Sequence, residues 1–148
     1  MINTKSELIT WSPTFACGVK VIDDQHKGLI NLVNKMFNHV TGDEAEELAY
    51  FNIVIKEAVQ YIKTHFATEE KIMKATKFDG YIDHKRAHES FILSVVECIN
   101  DYKEGKKYTL ATFTKFLKEW ILSHVAVMDK QYFEHFKKMI TTINKVVM

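Results

Sequence analysis

The chain has 148 residues, of which 47% are hydrophobic and 26% charged, and its 20 basic and 19 acidic side chains leave a net charge of +1. That is a single-domain length with enough apolar surface to offset chain entropy, so bulk disorder and a two-domain plan are excluded. The charge balance gives no electrostatic footprint for nucleic acid or an anionic membrane, and no apolar run approaches a membrane span or a signal-peptide core, so the sequence predicts a cytoplasmic protein.

One proline and five glycines argue for long helices and few turns. Residues 1–21 read as an irregular arm, anchored by Trp11, Phe15 and Val19 and kept from helix by Pro13 and Gly18. Asp23 reads as the cap of a first helix from Asp24 to Val40, striped by Leu29, Ile30, Val33, Phe37 and Val40. Gly42 suits a left-handed stop, and Asp43 with Glu46 resembles a capping box. A second helix with Leu48, Phe51, Ile55, Ala58 and Ile62 on one face runs to about Ala75. After a break over 77–80, a third helix from Ile82 to Glu104 shows Phe91, Val95, Ile99 and Tyr102. Gly105 breaks the chain again, and a fourth helix runs from about Thr109 almost to Met148. The two cysteines, Cys17 and Cys98, have no metal-site spacing and read as reduced thiols. Four amphipathic helices with short connections predict an all-α fold, an antiparallel up-down-up-down four-helix bundle over 22–148 behind an N-terminal arm.

The stripes carry polar residues where a core demands apolar ones. His26 precedes Leu29 and Ile30, and Ile62 is followed at three-and-four spacing by His65, Glu69 and Met73. His84 and His88 lead into Phe91, and Phe113, Leu117 and Trp120 lead into His124. Burying such groups unpaired is costly. Five histidines and a glutamate on inward faces need a common partner, and a metal accepts imidazole nitrogen and carboxylate oxygen together. The pairs His65/Glu69 and His84/His88 are one turn apart and can converge on one ion. Asp129 adds a second carboxylate, but five residues after His124, which is off-face in a regular helix. The apolar pattern makes the same step of five there, resuming at Tyr132 and Phe136, so a π-type bulge is expected between His124 and Asp129. The set is too large for one ion and suits two that share carboxylates, with zinc or iron the natural metals. None of the seven histidines has a glutamate three residues before it, which argues against a ferritin-like carboxylate site.

These motifs, D-x-Q-H (Asp23–His26), H-x-x-x-E (His65–Glu69), H-x-x-x-H (His84–His88) and W-x-x-x-H-x-x-x-x-D-x-x-Y (Trp120–Tyr132), resemble the hemerythrin family in its single-domain bacterial form. The resemblance covers nearly the whole chain from Trp11. It implies a non-haem di-iron centre: His84, His88 and His124 on one iron, His26 and His65 on the other, Glu69 and Asp129 bridging beside an oxo or hydroxo group. Dioxygen would bind at the two-histidine iron. Ile62 and Ile121, one turn before His65 and His124, are placed to wall an oxygen pocket as well as to fill core. Tyr132, close after Asp129, is placed as an outer-sphere donor, and Trp120 as packing. His39 reads as a helix-end residue, His135 as exposed and Glu70 as a surface acid. The implied function is reversible dioxygen binding for storage, delivery or scavenging, without catalysed turnover, by a monomer or weak oligomer with no evident protein partner. The alternatives are oxygen, iron or redox sensing through a partner protein, and a di-iron oxidoreductase.

Overall fold

The computed structural model describes residues 7–105, 110–128 and 130–147. Among them there is no strand, and no helix is long and apolar enough to cross a membrane. The helices are α1 (Lys20–Phe37), α2 (Glu44–Ala75), α3 (Tyr81–Lys103) and a fourth limb. That limb consists of α4 (Leu110–Trp120), a π-helical segment (Ile121–Met128), α5 (Lys130–Lys138) and α6 (Ile140–Val147). The result is a four-helix bundle.

The arm is ordered by specific bonds. The Asn34 side chain on α1 accepts from the amides of Leu8 and Ile9 and donates to the Ile9 carbonyl. A short 3₁₀ turn, Pro13–Phe15, then brings Phe15 into the core. The sequence placed the start of the first helix four residues late. Val19 is the residue ahead of α1, and Asp23 is inside the helix rather than capping it. Its carboxylate instead reaches back to the amides of Cys17 and Gly18, at 2.7 and 3.2 Å. Gly18 is at φ +89°, and an acceptor inside the first turn lets the helix start directly after it. At the other end α1 stops at Phe37, before Val40.

Asp43 caps α2 as expected, accepting from the Glu46 amide at 3.1 Å. The returning carboxylate belongs to Glu47, not Glu46: it takes the amides of Thr41 and Gly42 at 2.9 and 2.6 Å. α2 closes with the Phe78 amide on the Met73 carbonyl and the Lys77 amide on that of Lys74, a Schellman arrangement with Lys77 left-handed at φ 55°. α3 begins one residue before Ile82 and ends one before Glu104. The expected start of the fourth helix, Thr109, lies outside the described residues, as does Met148; a turn at Met139 divides the limb's distal part.

The apolar core falls into two clusters. The larger holds Leu29, Phe51, Phe66, Phe91, Phe113 and Ile121, and the smaller Ile22, Ile72, Met73, Tyr132, Phe136 and Ile143. In chain order, buried ionisable residues fall at the junction of the clusters: His26 follows Ile22 on α1, and Glu69 separates Phe66 from Ile72 on α2. The bundle therefore contains one polar layer.

Candidate metal centre

That layer is built from six side chains. α1 supplies His26, α2 supplies His65 and Glu69, α3 supplies His84 and His88, and the π-helical segment supplies His124. Glu69 is fully buried and central. Its Oε1 lies 2.7 Å from His65 Nε2 and 3.3 Å from His26 Nε2. Its Oε2 lies 3.2 Å from His88 Nε2 and 3.6 Å from His84 Nε2. His124 Nε2 joins the second group, 3.1 Å from His88 Nε2. One carboxylate thus serves two imidazole sets, two rings on one oxygen and three about the other. Within each set the donor atoms lie within 4.8 Å of one another.

The outward ring nitrogens decide what the inward ones can do. His26 Nδ1 is 2.8 Å from the Phe15 carbonyl, His65 Nδ1 2.8 Å from Gln25 Oε1, and His88 Nδ1 2.9 Å from Glu70 Oε2. Each outer partner is an acceptor, so each Nδ1 carries the proton. A neutral ring then points a bare Nε2 lone pair at the centre. Burial favours the neutral form at two rings of the layer: it pushes His65 below its ordinary value and His124 down to about 3. Burial would raise the Glu69 carboxyl, and only a proton on a facing ring, which supplies the His65 charge interaction and N–H donation, reverses this and holds it well below the usual range. His65 Nε2 and Glu69 Oε2 have no hydrogen bond of acceptable geometry. A carboxylate ringed by imidazole lone pairs is a set of acceptors facing acceptors. A cation resolves the conflict, and the mixture of nitrogen and oxygen donors suits a borderline divalent metal. The residues therefore fit a metal.

Residues 17–136 match the family model described as the hemerythrin HHE cation binding domain. The chain belongs to the hemerythrin family. A bacteriohemerythrin of Stenotrophomonas maltophilia is 32% identical over 88% of this chain and 82% of its own. A hemerythrin of Phascolopsis gouldii is 28% identical over 82% of this chain and 88% of its own. A crystal structure of wild-type hemerythrin superposes with a TM-score of 0.74 at 26% identity, covering 86% of this chain and 96% of the other.

Set in the hemerythrin fold, the expected residues are placed as follows. His26, His65, Glu69, His84, His88 and His124 come together in the buried layer. Asp129 lies outside the described residues. The step of five is accommodated by π-helical bonding over Ile121–Met128, and His124 within it is buried. Tyr132 is also buried, and its hydroxyl donates to Glu69 Oε1 at 2.8 Å. Ile62 and Ile121 are buried and border an apolar cavity of about 10 Å³ with Leu29, Val33 and Trp120. That is room for about one water-sized sphere. Trp120 stacks on the His124 ring with centroids 4.5 Å apart. His39 is remote from the centre, bonded to the Lys35 carbonyl and stacked on Tyr50.

Two expectations are corrected. Glu70 is not simply a surface acid: it is half-buried and accepts from His88 Nδ1. Turned about 100° from Glu69, it faces α3 while Glu69 faces the bundle axis. His135 is not exposed but half-buried, with Nε2 donating to the Thr76 carbonyl at 2.9 Å at the end of α2. One residue carried no role in the sequence reading. Gln25 orients His65, and is itself held by Nε2 on Thr68 Oγ1 at 3.1 Å and by its carbonyl under the Tyr61 hydroxyl at 3.1 Å. The available signals were its place as the Q of D-x-Q-H and a polar side chain next to a stripe histidine.

Two outcomes follow from these outer contacts. Gln25→Ala frees the His65 ring, and metal retention against a competing chelator should weaken about 10–100-fold. Unchanged retention would deny Gln25 its role. Tyr132→Phe deletes a hydrogen bond to a buried charged oxygen, and urea unfolding should show a loss of about 1.5–3 kcal/mol. A loss under 0.5 kcal/mol would mean that the bond contributes nothing net.

Proposed function

We propose that this layer holds two iron ions and binds dioxygen reversibly. The observation that carries the reading is the division of labour at Glu69, one oxygen toward two imidazoles and the other toward three. His26 and His65 would hold one iron, and His84, His88 and His124 the other. Glu69 would bridge the pair, with Asp129 as the second bridge. When bound, two ferrous ions supply the two electrons that reversible dioxygen binding draws on and recovers.

The chain's residues then have three tasks. The outer acceptors at Phe15, Gln25 and Glu70 fix the ring tautomers, so Nε2 is the ligand atom at three positions. Tyr132 holds Glu69 by its Oε1, limiting rotation of the carboxylate. Ile62 and Ile121, with the other cavity walls, line an apolar space, and dry walls of this kind would favour reversal over irreversible oxidation by keeping out water and its protons. The two-histidine set would give its iron fewer protein ligands than the three-histidine set, and dioxygen would bind on that side. The protein acts as a binder for storage, delivery or scavenging rather than as an enzyme, in the cytoplasm and as a single chain or weak oligomer.

The test is an oxygen titration of the iron-loaded, reduced protein, read by visible absorption through repeated anaerobic cycles. A charge-transfer band that appears with oxygen and disappears on its removal supports the reading. A single irreversible conversion to the diferric form overturns it in favour of sensing or oxidoreduction.

A further inference from the structure

Outside the polar layer, a groove of about 480 Å³ runs between α2 and α3. That is within the range of small-molecule pockets. Its hollow exists because Ala67, exposed on α2, presents only a methyl group beside Phe66 and Ile92. Leu93, 66% exposed, is an apolar rim to the same hollow.

The groove reaches the candidate metal ligands through its floor. The Phe66 ring stacks on the His88 imidazole with centroids 3.8 Å apart and planes 2° apart. Phe66 also lies 5.3 Å from Trp120, whose indole stacks on His124. Two of the three rings in the larger set are thus connected to the groove by aromatic contacts. Glu70, bonded to His88 Nδ1, borders one end of the groove, and Lys63 lies seven residues earlier on α2. Seven residues of helix separate acid and base by roughly 10 Å. That span suits a flat ring with a hydroxyl on each side, one donating to the carboxylate and the other accepting from the ammonium.

We propose that this groove is the port through which electrons reach the metal pair, delivered by a planar donor of the hydroquinone class. This rests on the di-iron reading above. The donor's two O–H bonds break and it becomes the quinone; its two electrons reduce two ferric ions to ferrous, one each, and its two protons leave to solvent at the groove mouth. The step returns the oxidised protein to the oxygen-binding form.

The probe is 2-methyl-1,4-naphthohydroquinone, used anaerobically against the full-length, iron-loaded diferric protein. Loss of the ferric absorption should saturate with donor concentration. Ala67→Phe fills the hollow from an exposed helix position, and should raise the half-saturating concentration at least tenfold while leaving reduction by dithionite and the oxygen band unchanged. Independently of iron, the oxidised probe added to zinc-loaded protein should shift the amide resonances of Ala67, Ile92 and Leu93, and not in Ala67→Phe. Reduction linear in donor and indifferent to Ala67→Phe overturns the proposal, as do shifts that lie elsewhere or that track protein concentration as in self-association. A probe that binds in the groove of a protein with no reversible oxygen band sinks the functional reading and leaves the groove a ligand site without an electron role.

Discussion

Glu69→Ala protein is expected to retain less than one iron per chain where the wild type retains two. The reason is geometric: both imidazole sets face the same carboxylate, one oxygen each, so its loss would remove a ligand from both proposed ions and one of the two bridges between them. Stability should report the same loss. A ligand that binds only the folded state at a thousand times its dissociation constant stabilises by about 4 kcal/mol. For a chain of this length that is a rise in Tm of about 8–16 °C. Wild-type protein should show a rise of this order when iron is added, and Glu69→Ala should show almost none. Elemental analysis and calorimetry on the same samples test the claim. Two irons per chain in the variant, with the full thermal rise, would remove Glu69 from the centre.

Metal-free protein is expected to become acid-labile well above the pH at which carboxylates ordinarily protonate. His124 titrates near 6.5 when unfolded but only at about 3 when folded, because burial penalises its charged form. Between those values the unfolded chain binds the extra proton, so stability is complete above about pH 6.5 and declines as pH falls. Each pH unit in that window costs about 1.4 kcal/mol per such group. At pH 5, His124 alone removes about 2 kcal/mol relative to neutral pH. His65, also depressed by burial, acts with the same sign. Glu69, held low when folded, adds a further loss once pH passes below its ordinary 4.5. Urea unfolding of chelator-treated protein at pH 7.5 and pH 5 measures the difference. Equal stability at the two pH values would mean that the rings take up protons as readily in the folded protein as in the unfolded chain. Bound metal competes with the same protons, so the loaded protein should hold its stability to lower pH and then lose metal and stability together.

The bundle was legible because its stripes keep one period for most of the chain. The six buried ligand candidates were legible for the same reason: each continues an apolar stripe, and periodicity reports which residues face the bundle axis. The break in phase after Trp120 was also informative, since a step of five on an apolar face requires the helix to widen, and Ile121–Met128 does. The outer contacts escaped because periodicity is silent about residues that face a neighbouring helix. Gln25 and Glu70 each sit next to a buried ligand candidate, one residue off the stripe, and only packing shows which ring each meets. The start of α1 escaped because Asp23 satisfies amides behind it instead of capping the turn ahead, two uses of one carboxylate that share a sequence signature.

The widened turn also makes the phase of the distal limb depend on how the backbone bonds run in one short stretch. An α-helix advances about 100° per residue, and the π-helical segment absorbs the odd residue that would otherwise turn the distal part out of phase. A variant that kept every residue but returned Ile121–Met128 to ordinary helical bonding would rotate everything beyond by roughly a quarter turn about the limb's axis. Tyr132 would swing away from Glu69, and Phe136 and Ile143 would leave the smaller core cluster together. Deleting one residue from the same stretch removes the odd residue itself, so ordinary bonding could run through with the distal limb still in phase.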